Sequence, residues 1–247
     1  MGLMTGERVL ITGGAGSIGT AIVRRLAAEG ADIFILDFDG TAAEKLAEET
    51  AATYGVTVRG FSFDVTDLAS HVPMVERLEK EFGPLTVLIN AAGITSTTTY
   101  ADLTPEEYDQ MMLINLKGPV FFTREIFFRM KQRGKGHIIN FGSIAGERGA
   151  KYSGPHYSMS KAGIICFTKA LAKLAEDSGV TVNTVSPGLI KSRMSDQIGS
   201  KVYDYDVPMN RMGTPDEVAG TVLYLASGLS DYITGQNISV NGGQSMR

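Results

Sequence analysis

Three residues in the second half of the chain have side chains suited to proton transfer at an oxygen atom. Tyr157 and Lys161 stand four residues apart in "HYSMSK", inside a predicted helix, so both project from one helix face. Ser143 stands 14 residues before Tyr157, at the end of the predicted strand "HIINFGS". A tyrosine can act as a general acid or base, and a serine can donate a hydrogen bond to an oxygen that gains charge. These residue types predict acid–base chemistry on an alcohol or a carbonyl.

Lys161 is the group that we expect to activate Tyr157. A free tyrosine titrates about three units above neutral pH, a difference worth about 4 kcal/mol. A cation ~4 Å from the phenolate supplies that much at an effective dielectric constant of about 20. We therefore predict that Lys161 lowers the pKa of Tyr157. An ordinary amphipathic helix would also place a tyrosine and a lysine at this spacing, and Ser143 would equally suit a turn after a strand.

A glycine-rich segment near the N-terminus has the form of a phosphate-binding loop. The stretch "VLITGGAGSIGTAIV" places four glycines between Gly13 and Gly19, after an apolar run and before an amphipathic one. Glycines allow a tight turn and bring backbone N–H groups close to a pyrophosphate, and the helix N-terminus adds partial positive charge. A glycine-rich turn that merely connects a strand to a helix has the same spacing.

An acidic residue follows where a dinucleotide's ribose would lie. Asp37 ends the predicted strand "DIFILD", 18 residues after Gly19, and can accept hydrogen bonds from ribose hydroxyls. Its carboxylate would repel the 2′-phosphate of NADP, and the loop from Gly13 to Gly19 holds no lysine or arginine. The sequence therefore predicts NAD as the cofactor. It also predicts hydride transfer between NAD(H) and a secondary alcohol or ketone.

Strand-like and helix-like segments alternate along the whole chain. Runs such as "RVLIT" and "LTVLIN" are continuously apolar, which is typical of parallel strands covered by helices on both faces. The alternation predicts an α/β fold with a doubly wound parallel sheet, a Rossmann fold, in a single domain over residues 1–247. The carboxyl ends of such strands open onto the ligand crevice, so we expect Ser143 close to the cofactor and to the Tyr157 helix.

The composition excludes several classes of function. A net charge of −4 gives no basic footprint for nucleic acid, and no apolar run approaches the length of a membrane span. A single cysteine fits a reducing compartment, so we predict a cytoplasmic protein with no disulfide. The three histidines, His71, His137 and His156, lack metal-ligand spacing, and we predict no metal site. His156 is expected to cap the helix locally or face the surface.

Over essentially its whole length the sequence resembles the single-domain branch of the short-chain dehydrogenase/reductase superfamily. The motifs occur in the family's order: the loop from Thr12 to Gly19, "NAAG" at 90–93, Ser143, the pair Tyr157 and Lys161, "PG" at 187–188, and the terminal "GQNISVNGG". The resemblance implies that Ser143, Tyr157 and Lys161 are catalytic and that Asn115 in "LINLKG" holds a water in a proton relay.

The resemblance also implies a set of cofactor contacts. Lys161 would bind the nicotinamide ribose, beside Tyr157. The remaining contacts would come from Gly13, Gly16, Ser17, Ile18 and Gly19 at the phosphates, Asp37 at the ribose, Asp64 and Val65 at the adenine, Asn90, Ala91 and Gly93 beside the adenosine, and Pro187, Gly188, Ile190 and Ser192 near the nicotinamide. A segment at about 189–210 would close over the substrate, and the family's members are commonly homotetramers.

The glycine loop departs from the branch's usual spacing. Ser17 stands where the middle glycine of Thr-Gly-x-x-x-Gly-x-Gly is expected. The glycines that are present fit Thr-Gly-x-x-Gly-x-x-Gly instead, which is the spacing of the superfamily's extended branch. Only 86 residues follow Lys161, too few for that branch's substrate domain, and they match the short branch's ending. We expect Ser17 to contribute its N–H, and its hydroxyl as well, to the phosphates.

Several interpretations stay open at the level of sequence. Basic residues in "MKQRGKGH" would suit docking of an acidic carrier protein, as in 3-oxoacyl-(acyl-carrier-protein) reductases, although "AEDSG" at 175–179 is acidic. A non-catalytic NAD(H)-binding redox sensor is the alternative of another class. Five cations either line a mouth for an anionic substrate or lie on a solvated loop: Arg148, Lys151, Lys191, Arg193 and Lys201. Four phenylalanines in "PVFFTREIFFRM" are expected in the core or at a subunit interface: Phe121, Phe122, Phe127 and Phe128.

Overall fold

One parallel sheet of seven strands runs through the computed structural model, which describes residues 2–192 and 207–246. The strand order is β3-β2-β1-β4-β5-β6-β7, and every neighbouring pair is parallel. The strands are β1 (Arg8–Thr12), β2 (Asp32–Asp37), β3 (Val58–Ser62), β4 (Val87–Asn90), β5 (Gly136–Phe141), β6 (Val180–Pro187) and β7 (Asn237–Val240). This order confirms the predicted doubly wound sheet.

Helices connect the strands and cover both faces of the sheet. They are α1 (Ser17–Ala28), α2 (Gly40–Tyr54), α3 (His71–Phe82), α4 (Pro105–Met112), α5 (Gly118–Arg133), α6 (Ile144–Arg148), α7 (Pro155–Leu174) and α8 (Pro215–Ala226). One core packs α1, α2 and α8 against the sheet, and a second packs α3, α5 and α7 against the opposite face. Because both faces are covered, β1, β4 and β5 are buried at consecutive positions rather than at alternate ones.

Local sequence signals explain where the site's helices begin. Thr104 caps α4 by accepting a hydrogen bond from the Glu107 N–H, and Pro105 follows at the first helical position. Thr214 and Glu217 form a reciprocal capping box at the start of α8. In contrast, no side chain caps α1, whose N-cap is Gly16. The backbone N–H groups at that terminus are thus left to another partner.

The order of the strands reverses direction between β1 and β4. The chain moves outward from β1 through β2 to β3, then returns to pair β4 with the other side of β1. In open parallel sheets this reversal creates a crevice at the carboxyl ends of the strands, where ligands bind. The strand ends at Thr12, Asp37, Asn90 and Phe141 therefore share one edge of the molecule.

The chain between α4 and α5 is not a regular α-helix. Leu113–Lys117 form a π-helical turn that joins the two helices, and Asn115 lies at its centre, buried. Such turns are rare and occur mostly where an α-helix is interrupted at a functional position. Among the described residues, no helix is long and apolar enough to cross a bilayer.

Candidate active site

A cavity of about 640 Å³ opens at the carboxyl edge of the sheet. Its walls come from the ends of β4, β5 and β6, from α6 and the segment after it, and from the start of α7. Ser143, Tyr157 and Lys161 all line it, as the sequence predicts. Ile18, Ala91, Gly93, Pro187, Gly188, Ile190 and Ser192 also belong to its lining. One cavity therefore holds the three candidate catalytic residues together with much of the set expected around the nicotinamide.

Tyr157 lies in the first turn of α7 and points into this cavity. Pro155 opens the helix, and the Tyr157 side chain is 8% exposed. Its hydroxyl is hydrogen-bonded to Ser143, the residue that caps the N-terminus of α6. Burial raises the pKa of Tyr157, and the hydrogen bond with Ser143 opposes this change. Tyr157 is therefore a protonated phenol at neutral pH.

Lys161 lies one turn further along α7 and is also buried. Its Nζ donates a hydrogen bond to the carbonyl of Phe141, 3.0 Å away, at the end of β5. Burial lowers the pKa of Lys161 to about 8. The Nζ atom lies 6.0 Å from the centre of the Tyr157 ring.

The pKa of Tyr157 is shifted in the direction opposite to the prediction. Both groups lose hydration in the cavity, and the desolvation of Tyr157 outweighs its hydrogen bond with Ser143. The shared helix face is as predicted. The direction of the tyrosine's pKa shift differs from the prediction, because spacing along a helix does not reveal how far folding excludes water from that helix face.

Asn115 holds the loop after β4 rather than facing the cavity. Its Oδ1 accepts a hydrogen bond from the Ile94 N–H at 2.8 Å, and its Nδ2 donates to the Ile94 carbonyl at 2.9 Å and to Ser160 Oγ at 3.2 Å. A side chain at Gly93 would meet Asn115 Oδ1 at 3.2 Å and Lys161 Nζ at 3.4 Å. Asn115 and Lys161 thus flank the same glycine. The water relay expected of Asn115 stays a prediction.

The glycine loop is packed too tightly for side chains at two positions. Gly13 has a φ of 69°, and a Cβ there would lie 2.6 Å from Ala92 on the neighbouring loop. A Cβ at Gly19 would lie 2.3 Å from the Gly13 carbonyl oxygen. The loop and the start of α1 consequently press against each other, with the uncapped helix terminus beside them. This is a cradle that suits a pyrophosphate.

Asp37 is fixed beside that loop at the end of β2. Its Oδ2 accepts a hydrogen bond from the Ala15 N–H at 2.9 Å, and its Oδ1 accepts one from the Asp39 N–H at 3.1 Å. Among the described residues, no lysine or arginine pairs with Asp37. The carboxylate thus joins β2 to the glycine loop, a role that sequence reasoning missed, and keeps lone pairs for a ligand hydroxyl.

Of the residues predicted beside the adenosine and its adenine, Ala91 and Gly93 line the cavity, whereas Asp64, Val65 and Asn90 do not. The Val65 carbonyl accepts a hydrogen bond from His71 Nε2 at 3.0 Å, and Asp64 Oδ1 accepts one from the Thr66 N–H at 2.8 Å. The Asn90 side chain turns into the sheet, where its amide donates to Asn140 Oδ1 and Thr123 Oγ1, both at 2.8 Å. Asn90 therefore uses its amide to join neighbouring elements.

The segment after β6 forms the opposite wall of the cavity. Gly188 N donates to the Val240 carbonyl, and a Cβ at Gly188 would lie 2.7 Å from Asn241. Ile190 is buried and pairs with Gly213 in an isolated bridge. Arg193, Lys201 and most of the closing segment predicted at about 189–210 lie outside the described residues.

Some of the lining residues carry no signal in the sequence. Phe141 contributes its backbone carbonyl, and Gln244 comes from the far end of the chain. His156 was expected to cap the helix or face the surface, yet it is fully buried, with Nε2 3.5 Å from Glu107 Oε1. Glu107 in turn accepts hydrogen bonds from Ser96 and Thr98, so this cluster ties α4 to the start of α7 through the loop after β4.

Comparisons with known proteins agree with this arrangement. A family model described as enoyl-(acyl carrier protein) reductase matches residues 13–245. The acetoacetyl-CoA reductase of Allochromatium vinosum is 37% identical, over 95% of this chain and 96% of that protein. A crystal structure of a short-chain type dehydrogenase/reductase from Mycobacterium marinum matches with a TM-score of 0.92 and 30% identity, over 99% of this chain and 97% of that one. The chain belongs to the short-chain dehydrogenase/reductase superfamily.

A further relative of this short-chain dehydrogenase/reductase is the 3-oxoacyl-(acyl-carrier-protein) reductase of Aquifex aeolicus. It is 34% identical, over 97% of this chain and 98% of that protein. The resemblance seen in the motifs is therefore confirmed across the full length. Membership makes the chain an oxidoreductase that acts on a CH–OH group or a ketone.

Proposed function

We propose that this chain is an NAD(H)-dependent enzyme that interconverts a secondary alcohol and a ketone. The observation that carries the proposal is the convergence of Ser143, Tyr157 and Lys161 on one cavity at the carboxyl edge of the sheet. All three side chains are largely buried there, so they act in a site from which much of the water is excluded. Polar groups preorganised in such a site stabilise developing charge more strongly than they would in water.

Tyr157 is the proton donor to the substrate oxygen. As a buried and protonated phenol, it is in the form needed to give its proton to a carbonyl oxygen during reduction, and it takes a proton from the alcohol in the reverse direction. Ser143, already hydrogen-bonded to Tyr157, donates to the same oxygen as negative charge grows on it.

Lys161 and Asn115 support this proton transfer. Lys161 is held by the Phe141 carbonyl, and its ammonium stabilises the phenolate that remains after Tyr157 gives up its proton. Asn115 fixes the backbone of Ile94 beside Gly93 and thereby shapes the wall next to Lys161. Lys161 is also placed to donate a hydrogen bond to a ribose hydroxyl of the cofactor.

The residues along the sheet edge fit a nicotinamide dinucleotide, which supplies hydride transfer when bound. Gly13 and Gly19 let the loop pack closely against Ala92 and against its own backbone, beside the N-terminus of α1, which no side chain caps. Asp37 offers a carboxylate to ribose hydroxyls and would repel a 2′-phosphate. We therefore assign NAD(H) rather than NADP(H). A cytoplasmic location is part of this proposal and is supported by the single, unpaired Cys166.

Reduction of a 3-oxoacyl thioester is the second candidate. It uses the same chemistry and is supported by the acetoacetyl-CoA and 3-oxoacyl-(acyl-carrier-protein) reductases among the relatives. The basic stretch after α5 supports it less, because Arg133 pairs with Glu79 and Lys135 with Glu7. A redox sensor of the same fold would bind NAD(H) without turnover, and the presence of both Tyr157 and Lys161 argues against it.

Replacement of Tyr157 by phenylalanine tests the proposed chemistry. In initial-rate assays with NADH and a panel of ketones, we expect Tyr157→Phe to lower kcat by at least about 10²-fold, because the substitution removes the proton donor that is hydrogen-bonded to Ser143. The affinity for NADH, measured by fluorescence titration, should change little and serves as the control for folding. Turnover retained by the variant would reject Tyr157 as the acid. Turnover of any ketone in the panel by the wild type would also exclude the non-catalytic redox sensor.

A further inference from the structure

The charged groups that line the cavity are of one sign. Of the described residues in the lining, three carry a charge, namely Arg148, Lys151 and Lys161, and none is an aspartate or glutamate. The whole chain has a net charge of −4, so the cavity has the opposite sign to the protein. A cleft lined by one sign of charge concentrates ligands of the other sign.

Lys161 takes part in the proposed proton transfer, whereas Arg148 and Lys151 have no role in the reaction as proposed so far. Both lie on the segment that joins Ser143 to Tyr157, at the end of α6 and just after it. The glycine loop contributes only Ile18 to the lining. Neither cation belongs to the glycine loop or to α1, so binding of the cofactor's phosphates by that loop does not explain their charges.

The guanidinium of Arg148 is anchored without being neutralised. Its Nη1 donates a hydrogen bond to the Gln244 backbone carbonyl at 2.9 Å, which ties α6 to the C-terminal segment. Among the described residues, no carboxylate forms an ion pair with Arg148 or with Lys151. Lys151 Nζ lies 5.1 Å from the centre of the Tyr152 ring. Arginines elsewhere, such as Arg133 and Arg211, are paired with glutamates.

We propose that Arg148 and Lys151 form an anion subsite, so that the physiological substrate is a ketone or alcohol bearing an anionic group. Arg148 presents its remaining N–H donors in a planar fork, the geometry that binds a carboxylate or phosphate through two hydrogen bonds. Lys151 adds a second charge close by. The inference rests on the proposed ketone reduction and names its substrate class. The anion is either a carboxylate on the substrate itself or a phosphate of a thioester carrier.

The test compares ketone substrates with and without an anionic group. The first pair is acetoacetate and its methyl ester, and the second is acetoacetyl-CoA and the acetoacetyl thioester of N-acetylcysteamine. Values of kcat/KM with NADH are measured for the wild type, Arg148→Gln and Lys151→Gln. Lys80→Gln is the matched control, because it removes one positive charge from an exposed position on α3 far from the cavity lining.

We expect Arg148→Gln to lower kcat/KM for the anionic member of a pair by about 10- to 100-fold, the loss typical of a charge-assisted hydrogen bond. The neutral member should change by less than about threefold, which shows that folding and proton transfer are intact. Lys151→Gln should have a smaller effect in the same direction, and Lys80→Gln none. An effect confined to the first pair identifies a carboxylate, and one confined to the second identifies the carrier's phosphates.

Equal losses for both members of each pair, or no loss for either, would overturn the subsite. If no compound in either pair is turned over, the ketone chemistry itself fails with these substrates, and binding decides the subsite separately. Calorimetric titration of the enzyme–NADH complex with 3-hydroxybutanoate and with coenzyme A should then show binding that Arg148→Gln weakens at least about tenfold. Equal binding to both proteins, or none to the wild type, would reject the proposal.

Discussion

At the scale of single residues, burial is the main influence on the pKa values of Tyr157 and Lys161. The i, i+4 spacing correctly predicts that Tyr157 and Lys161 reach one cavity. The predicted lowering of the tyrosine's pKa is wrong for this structure, because desolvation raises it and Lys161 Nζ is bound to Phe141. A protonated phenol is the form that can give a proton to a carbonyl oxygen.

Asp37 is the residue on which cofactor choice depends. We expect Asp37→Asn to lower the ratio of kcat/KM for NADH to that for NADPH by about tenfold or more, because the negative charge facing a 2′-phosphate is removed. The asparagine keeps an oxygen that can accept from the Ala15 N–H, so the glycine loop should stay in place. Initial rates with the two cofactors measure the ratio. An unchanged ratio would mean that another group selects the cofactor.

At the scale of secondary-structure elements, the π-helical turn is the feature that positions the loop after β4. Leu113–Lys117 interrupt the helical run between α4 and α5, and Asn115 reaches from this turn to Ile94 and Ser160. The sequence gives no sign of this altered turn, since hydrophobic periodicity cannot register one inserted residue.

We expect Asn115→Leu to lower both the stability of the fold and the turnover rate. The substitution leaves the N–H and the carbonyl of Ile94 without their partners inside the protein, which costs about 2–4 kcal/mol in the free energy of unfolding. Urea denaturation followed by circular dichroism measures this loss, and kcat should fall with it. Lys117→Ala, an exposed change in the same turn, is the control. Full stability combined with lost turnover would instead indicate that Asn115 acts only in the chemistry.

At the scale of the whole molecule, the outer surface carries large apolar side chains that the core does not use. Of the four phenylalanines in α5, Phe122 and Phe127 are buried, whereas Phe128 is 63% exposed. Leu174 at the end of α7, on the same side of the sheet, is 64% exposed. A second group lies after α8, where Leu229 is 61% exposed and Tyr232 is fully exposed. Separate apolar patches are typical of surfaces that bind other protein chains.

These patches support the expectation of a homotetramer, which needs two kinds of contact between subunits. We predict that the wild type sediments as a tetramer and that Phe128→Glu shifts it to smaller species, because a carboxylate would be buried without a partner. Sedimentation velocity at micromolar concentration measures the shift, and Lys80→Gln again serves as the control. A wild type that sediments as a monomer would contradict the expected assembly.

The amino-acid sequence by itself determined the sheet, the glycine loop and the choice of Ser143, Tyr157 and Lys161 as candidate catalytic residues, because these depend on local patterns. Apolar runs, turn glycines and the spacing of Tyr157 and Lys161 are short-range signals that one chain displays directly. Only the tertiary structure decided how Asn90, Asn115 and His156 are used, since each is buried among residues distant in sequence. It also decided the electrostatics, because the pKa of Tyr157 and the single sign of charge in the cavity arise from groups that folding brings together.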